Sequence, residues 1–288
     1  MTEVTAASSR APAPSLVYLV NGLPSNVIPV TDRGFQYADG LFETIAVADG
    51  EPLLFDRHLE RLARGCAKLG ITMPARELFE AEAGRLCGGR ERQVLKITLT
   101  RGSGGRGYRP DGAGPPTRVL AALPWPDYPE MHRTQGTTLR LCRTRLGSNP
   151  DLAGLKHLAR LEQVLARGEW TDDAVQEGLM LDEESQVIEG TMSNVFLIRG
   201  EALVTPRLDR CGVAGVMREA VIACAERMGV RCDERPVALD ELCSADGLFV
   251  TNSLIGLWPV RRFEQHSYAI PPLIPALLAR LREAHACV

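Results

Sequence analysis

Arg145-Leu-Gly-Ser-Asn-Pro-Asp-Leu-Ala-Gly-Leu-Lys-His-Leu-Ala-Arg160 places one lysine, Lys156, between a loop of Gly147, Ser148, Asn149, Pro150 and Gly154 and a run with helical leucine spacing. Lysine is rare in this chain: of 33 basic residues only Lys68, Lys96 and Lys156 are not arginine. Lys68 falls on the polar side of an expected helix and Lys96 inside an expected strand, so both have structural explanations. A primary amine condenses with an aldehyde, whereas a guanidinium stays charged and cannot. Lys156, held on a shaped loop, is therefore a candidate to bind a carbonyl compound covalently. The alternative is a surface lysine. A helix beginning by Gly154 would align Leu155, Leu158, Leu161 and Leu165 in one apolar stripe and leave Lys156, Arg160 and Gln163 in water. The stretch alone leaves both readings open.

Composition narrows the field. A chain of 288 residues is long enough for one large or two medium domains, and 45% hydrophobic with 24% charged residues is ordinary for a globular protein. A net charge of −3 and a pI near 6.0 give no general attraction to nucleic acid or anionic membrane. The eight cysteines are scattered with no Cys-x-x-Cys pair, which points to reduced, buried thiols and a cytoplasmic protein. The five histidines form no ligand-like spacing, so no metal is expected. No apolar run approaches membrane-spanning length. Met1 to Pro14 lacks the basic start and apolar centre of a secretory signal, and residues 1–16 read as a disordered tail.

The chain then alternates strand and helix patterns. Val17 to Val20 reads as a strand and Thr31 to Gly40 as a glycine-bearing turn region. Leu41 to Val47 is a strand that turns back at Asp49-Gly50, the strongest short hairpin signal. Asp56 is a candidate N-cap for a helix carrying Leu59, Leu62, Cys66 and Leu69. A helix over about Ala75 to Cys87 and strands over Arg92 to Arg101 and Thr117 to Leu123 complete a first domain, 17–123, of α/β type. Pro124, Pro126 and Pro129 mark a linker, 124–136. Beyond it, residues 137–288 mix strands (Thr137 to Thr144, Gly178 to Leu181, Val187 to Thr191, Asn194 to Ile198) with helices after Gly212 and after Pro271-Pro272. The fold class is α+β.

Four motifs could carry chemistry. Gly102-Ser-Gly-Gly-Arg-Gly107 satisfies the dinucleotide pattern, but Tyr108-Arg-Pro-Asp follows where a helix would have to open, so that reading fails. What remains is a loop presenting Arg106 and Tyr108, suited to gripping a carboxylate or simply solvated. Glu189 lies two residues from Val187 in an expected strand, so it shares that residue's face. Buried, it would need a partner such as a protonated ring nitrogen, but the pattern alone favours a solvated hairpin face. Gly212-Val-Ala-Gly-Val-Met-Arg218 opens a helix whose free N–H groups could hold a phosphate. Thr251-Asn-Ser253 ends a strand with three small polar side chains.

Taken in this order, the pieces resemble the fold-type IV pyridoxal-phosphate enzymes of the class IV aminotransferase superfamily. The carrying segments are Arg101 to Tyr108, Arg145 to Val164, and Thr205 to Arg218. The resemblance implies a smaller N-terminal α/β domain, a larger C-terminal mixed-sheet, barrel-like domain, and pyridoxal 5'-phosphate as cofactor. It implies that Lys156 anchors the cofactor and moves protons, and that Glu189 faces the pyridine nitrogen. Arg61, the turn at Val213 and Ala214, and Ser253 beside Asn252 would receive the phosphate. Arg106 and Tyr108 would reach a substrate carboxylate, in relatives often from the other subunit of a homodimer. Related aminotransferases often carry a tyrosine five residues after the lysine, where this chain has Leu161. Phe42 also stands where D-amino-acid aminotransferases use a tyrosine. Both departures favour the superfamily's lyase branch, with a branched-chain or D-amino-acid aminotransferase as the alternative. Glu43 is a form shared across the superfamily and decides nothing.

Overall fold

Alternating strand residues and i, i+3, i+4 helix residues build the first layer pair. The computed structural model describes residues 17–88, 91–110 and 114–288; the expected tail at 1–16 lies outside them. A six-stranded antiparallel sheet runs in the spatial order Leu23–Pro24, Val17–Val20, Thr117–Pro124, Arg92–Thr100, Gly40–Ala48, Glu51–Pro52. Asp49 and Gly50 both take positive φ, 50° and 85°, as the two-residue hairpin signal requires. The helix Phe55–Leu69 lays Leu59, Leu62 and Cys66 on this sheet, and Arg76–Leu86 adds Phe79 and Ala83. Asp56 is not the N-cap: Leu54 is, in a left-handed conformation, and Asp56 sits in the first turn bonded to Arg76. The turn region at Thr31 to Gly40 contains a short helix, Arg33–Tyr37, capped by Asp32, whose carboxylate accepts from Gly34 N–H at 2.8 Å.

The second sheet has nine strands, in the order Cys232–Arg235, Ala202–Pro206, Asn194–Arg199, Gly247–Asn252, Gly256–Phe263, Thr137–Leu141, Glu177–Leu181, Val187–Gly190, with His266–Ser267 paired to Gly256–Phe263. It mixes parallel pairs (Ala202–Pro206 with Cys232–Arg235; Thr137–Leu141 with both its neighbours) with antiparallel ones. It curls until its ends meet: Val187 N–H donates to Val237 O at 2.8 Å, and Gln186 bridges to Ala238. Alternation sorts the two faces. Val195 and Leu197 point inward with Leu179, Val250 and Trp258. Phe196 and Ile198 point outward beneath the helices Val216–Arg227 and Leu273–Glu283. There Phe196 and Phe249 stack with ring centres 4.9 Å apart. No helix among the described residues is long and apolar enough to cross a membrane.

The run around Lys156 does not begin a helix at Gly154. Gly154 takes φ 78°, and the segment after it is extended because it docks on the first sheet. Phe42 N–H donates to Lys156 O and Leu158 N–H to Gly40 O, each at 3.0 Å. Gly154 in turn exchanges hydrogen bonds with the Gly212–Ala214 turn, at 2.9 and 3.1 Å. The helix proper spans Leu161–Arg167. The lysine segment is thus stitched between the two sheets.

Candidate active site

A cavity of about 340 Å³ opens at this seam, within the range that accommodates a cofactor-sized ligand. Its wall includes Phe42 and Arg61 from the first sheet and its helix, Lys156 and Arg160 from the stitched segment, Glu189 and Asn252 from the second sheet, and Val213 and Ser253 from the turns.

Lys156 Nζ lies 4.4 Å from the centre of the Phe42 ring and donates to no side chain among the described residues. Burial, with Arg61 and Arg160 nearby, pulls its ammonium from 10.5 down to about 8. That gives a usable fraction of free amine near neutral pH. The surface-lysine reading is therefore overturned, and the stripe is inverted. Leu161 and Leu165 are 75% and 65% exposed, while Arg160 and Gln163 face the cavity. Arg160 was not singled out from sequence, since the helical spacing put it in water. It donates to His157 O at 2.8 Å and Leu155 O at 2.9 Å, bracing the carbonyls on either side of Lys156.

Glu189 is 4% exposed, not solvated as the pattern alone favours. A register shift opposite Met180 and Leu181 breaks strict alternation between Val187 and Glu189. Val187 packs into the barrel interior while Glu189 meets the cavity. Its Oε2 accepts from Val213 N–H at 2.8 Å, with Asn194 Nδ2 at 3.5 Å. Burial outweighs these donors and the cations at Arg160 and Lys156, and raises the carboxyl from 4.5 to about 7. The next turn, Gly190 to Ser193, is held by Glu177. That buried carboxylate accepts from the Thr191 hydroxyl at 2.6 Å, Met192 N–H at 3.1 Å and the Ser193 hydroxyl at 2.7 Å.

At another side of the cavity stands Arg61, 6% exposed. It donates to Ala214 O at 3.0 Å and, through Nε at 2.8 Å and through Nη2, to Glu43. Glu43, which decided nothing in the sequence, is the group that fixes Arg61 in place, and it also meets His58 Nδ1 at 2.7 Å. The Arg61 charge and the hydrogen bonds from Arg61 and His58 hold its carboxyl at about 2 despite burial. Val213 and Ala214 spend their N–H groups on Glu189 and Gly154. The N–H groups at the start of the helix are those of Gly215, Val216 and Met217, all of which line the cavity. A Cβ at Gly215 would lie 2.1 Å from Asn194 Oδ1, so only glycine permits this approach. Asn252 lines the cavity, but its amide is committed: Oδ1 accepts from Leu254 and Ile255 N–H at 2.9 Å, and Nδ2 donates to Met192 O at 3.1 Å. Ser253 presents a hydroxyl.

Arg106 and Tyr108 do not line this cavity. Arg106 is exposed and Tyr108 is 86% exposed. Their loop is nevertheless ordered by buried Arg33, which donates to Gly107 O at 2.9 Å and Tyr108 O at 3.2 Å.

An amine and a carboxylate thus line one cavity, with a cation and a helix start beside them. A sequence model of the family described as Amino-transferase class IV matches residues 40–263, and the chain belongs to that family. It is 36% identical to an aminodeoxychorismate lyase of Vibrio harveyi, over 85% of this chain and 90% of that protein. It is 26% identical to a D-alanine aminotransferase of Bacillus licheniformis, over 81% and 82%. A crystal structure of 4-amino-4-deoxychorismate lyase from Pseudomonas aeruginosa matches with a TM-score of 0.89 and 46% identity, covering 93% of this chain and 98% of that one. The α+β fold with a curled second sheet is that of the family.

Proposed function

We propose that the chain is a pyridoxal-phosphate-dependent lyase that converts 4-amino-4-deoxychorismate to p-aminobenzoate and pyruvate, a step of folate synthesis. The observation that carries the reading is that Lys156 and buried Glu189 line one cavity, in a chain 46% identical to a lyase structure. The cavity fits the cofactor. A buried carboxyl raised to about 7 suits a ring N–H, and a free amine suits an aldehyde. Arg61, the N–H groups of 215–217 and Ser253 suit a phosphate.

When bound, the cofactor supplies an aldehyde that captures an amine and a ring that stores an electron pair. Lys156 would anchor it and, once displaced by the substrate's amine, take the proton from the ring carbon bearing that nitrogen. That removal lets the neighbouring carbon–oxygen bond break: the enolpyruvyl group leaves as enolpyruvate, which gains one proton, matching the one removed, to become pyruvate, and the ring becomes aromatic. Glu189 would keep the ring nitrogen protonated, and Arg61 would fix the phosphate end. Phe42 offers no hydroxyl to the cavity, which supports the lyase over a branched-chain or D-amino-acid aminotransferase; Leu161 turns away from the cavity and does not bear on the choice.

A homodimer is part of the reading. Leu161, Val164 and Leu165 form one exposed apolar face at 63% or more, and the ordered loop of Arg106 and Tyr108 would serve the partner's cavity. The buried free thiols support a cytoplasmic setting. The test is an assay with aminodeoxychorismate, following p-aminobenzoate and pyruvate together. Equal formation of both without an added keto acid is expected, as is loss of both in Lys156→Ala. A cofactor-loaded protein that makes neither product but consumes amino donors would move the assignment to the aminotransferase.

A further inference from the structure

Behind the cavity wall a chain of hydrogen bonds joins two of the phosphate-side residues. Ser253 Oγ lies 3.3 Å from His58 Nε2, His58 Nδ1 lies 2.7 Å from Glu43 Oε2, and Glu43 Oε1 accepts from Arg61 Nε at 2.8 Å. Ser253 and Arg61 line the cavity; His58 and Glu43, 0% and 1% exposed, do not. The residue types are those of a hydrolase triad, but here the carboxylate is shared with Arg61. The histidine, buried beside a guanidinium, is a weakened base.

The proton inventory of this chain is constrained. Ionised Glu43 can only accept, so the short contact to His58 Nδ1 requires the proton on Nδ1. In a neutral ring Nε2 is then a bare acceptor, and the Ser253 hydroxyl must point its proton at it. Burial lowers the histidine's proton affinity, Glu43 raises it, and Arg61 on the same helix and Lys156 on the stitched segment lower it again. In this state Ser253 offers the cavity only lone pairs. A phosphate dianion also brings only lone pairs, so the two would meet acceptor to acceptor.

We propose that His58 takes up a proton from solvent when a phosphate group seats against Ser253. The imidazolium Nε2–H then donates to Ser253 Oγ, and the serine hydroxyl turns to donate to a phosphate oxygen. His58 is thus a positioning residue that acts through Ser253, and phosphate binding is linked to proton uptake. This rests on the phosphate placement given above. Glu43 favours the added proton and the phosphate charge reinforces it, against Arg61 and Lys156.

The test uses the full-length, cofactor-free protein labelled with nitrogen-15 histidine, which has five histidines. Pyridoxine 5'-phosphate is the probe: it carries ring and phosphate but no aldehyde, so it cannot bond to Lys156. Two-bond proton–nitrogen spectra near pH 8, with His58 assigned from His58→Gln, report the protonation of each ring nitrogen. The expected result is a neutral, Nδ1-protonated ring alone and an imidazolium at saturation. Calorimetry in two buffers of different ionisation enthalpy should show about one more proton taken up by the parent than by His58→Gln. If that variant does not fold, Ser253→Ala replaces it, and its His58 should stay neutral with probe bound. Probe binding with His58 still neutral in the parent overturns the proton linkage alone. Protonation of His58 by unphosphorylated pyridoxine overturns it as well. Failure of the probe to bind overturns both the linkage and the phosphate placement.

Discussion

Replacing Glu189 by Gln should make the cofactor-free protein more stable and the loaded enzyme slower. The Glu189 carboxyl is held at about 7 against an ordinary 4.5, chiefly by burial. Between those values the folded chain keeps a proton that the unfolded chain releases. Stability therefore falls as pH rises from 4.5 to 7 and stays lower above. At ~1.4 kcal/mol per pH unit the loss is at most about 3 kcal/mol. Below 4.5 the group is protonated in both states and contributes nothing. A Gln at 189 does not titrate, and its amide oxygen can accept the Val213 N–H that Oε2 accepts at 2.8 Å. The variant should match the parent near pH 4.5 and exceed it by about 1–3 kcal/mol near pH 8. Urea unfolding at the two pH values measures this from midpoint and slope. Turnover should fall in the opposite sense. Losing a charge-assisted bond worth about 2–3 kcal/mol to the ring nitrogen slows the reaction roughly 30- to 150-fold. A variant no more stable than the parent near pH 8, at unchanged slope, would refute the burial argument. A variant with the parent's turnover would remove Glu189 from the ring nitrogen.

Gly215→Ala forces a Cβ to within 2.1 Å of Asn194 Oδ1, so the helix start or Asn194 must shift. Pyridoxal-phosphate affinity, read from fluorescence quenching, should fall by about tenfold or more, and an unchanged affinity would place the phosphate elsewhere. Arg33→Ala removes the two hydrogen bonds that hold Gly107 and Tyr108. It should raise the substrate KM roughly tenfold, a loss of about 1–2 kcal/mol, with cofactor affinity intact; an unchanged KM would separate this loop from substrate binding. Leu165→Asp puts a charge on a face that is 65% exposed in one chain. Sedimentation should report a monomer, and a persisting dimer would locate the interface on another surface.

The first sheet was largely legible because its signals are local. Asp49-Gly50 dictates its own hairpin, and Leu59, Leu62 and Cys66 repeat at helical spacing against one apolar face. From residue pattern alone the site was legible only where one residue type was unusual, as with Lys156 among arginines; Arg61, Glu189 and Ser253 were reached only through the family resemblance. The site's supports were not legible. Glu43 meets His58 and Arg61 from 15 and 18 positions away on a different element, and no local spacing announces a carboxylate shared in that way. Glu189 escaped the period-two argument because one register shift rotates it relative to Val187.

The surface-lysine reading of the Lys156 stretch fails for a physical reason. Helical apolar spacing states that a face is covered, but not by what. Taken as an ordinary amphipathic helix, the leucines belong against the chain's own core and Lys156, Arg160 and Gln163 belong in water. In the folded chain Gly154 and the hydrogen bonds to Phe42 and Gly40 delay the helix to Leu161. The polar residues then turn toward the cavity, and Leu161, Val164 and Leu165 turn outward with nothing among the described residues over them. An apolar face of that kind is costly in water unless it is buried in an assembly. The homodimer reading therefore accounts for the same three residues that made the sequence pattern point the wrong way. The period was sound; the surface it packs against belongs, on this reading, to the second copy.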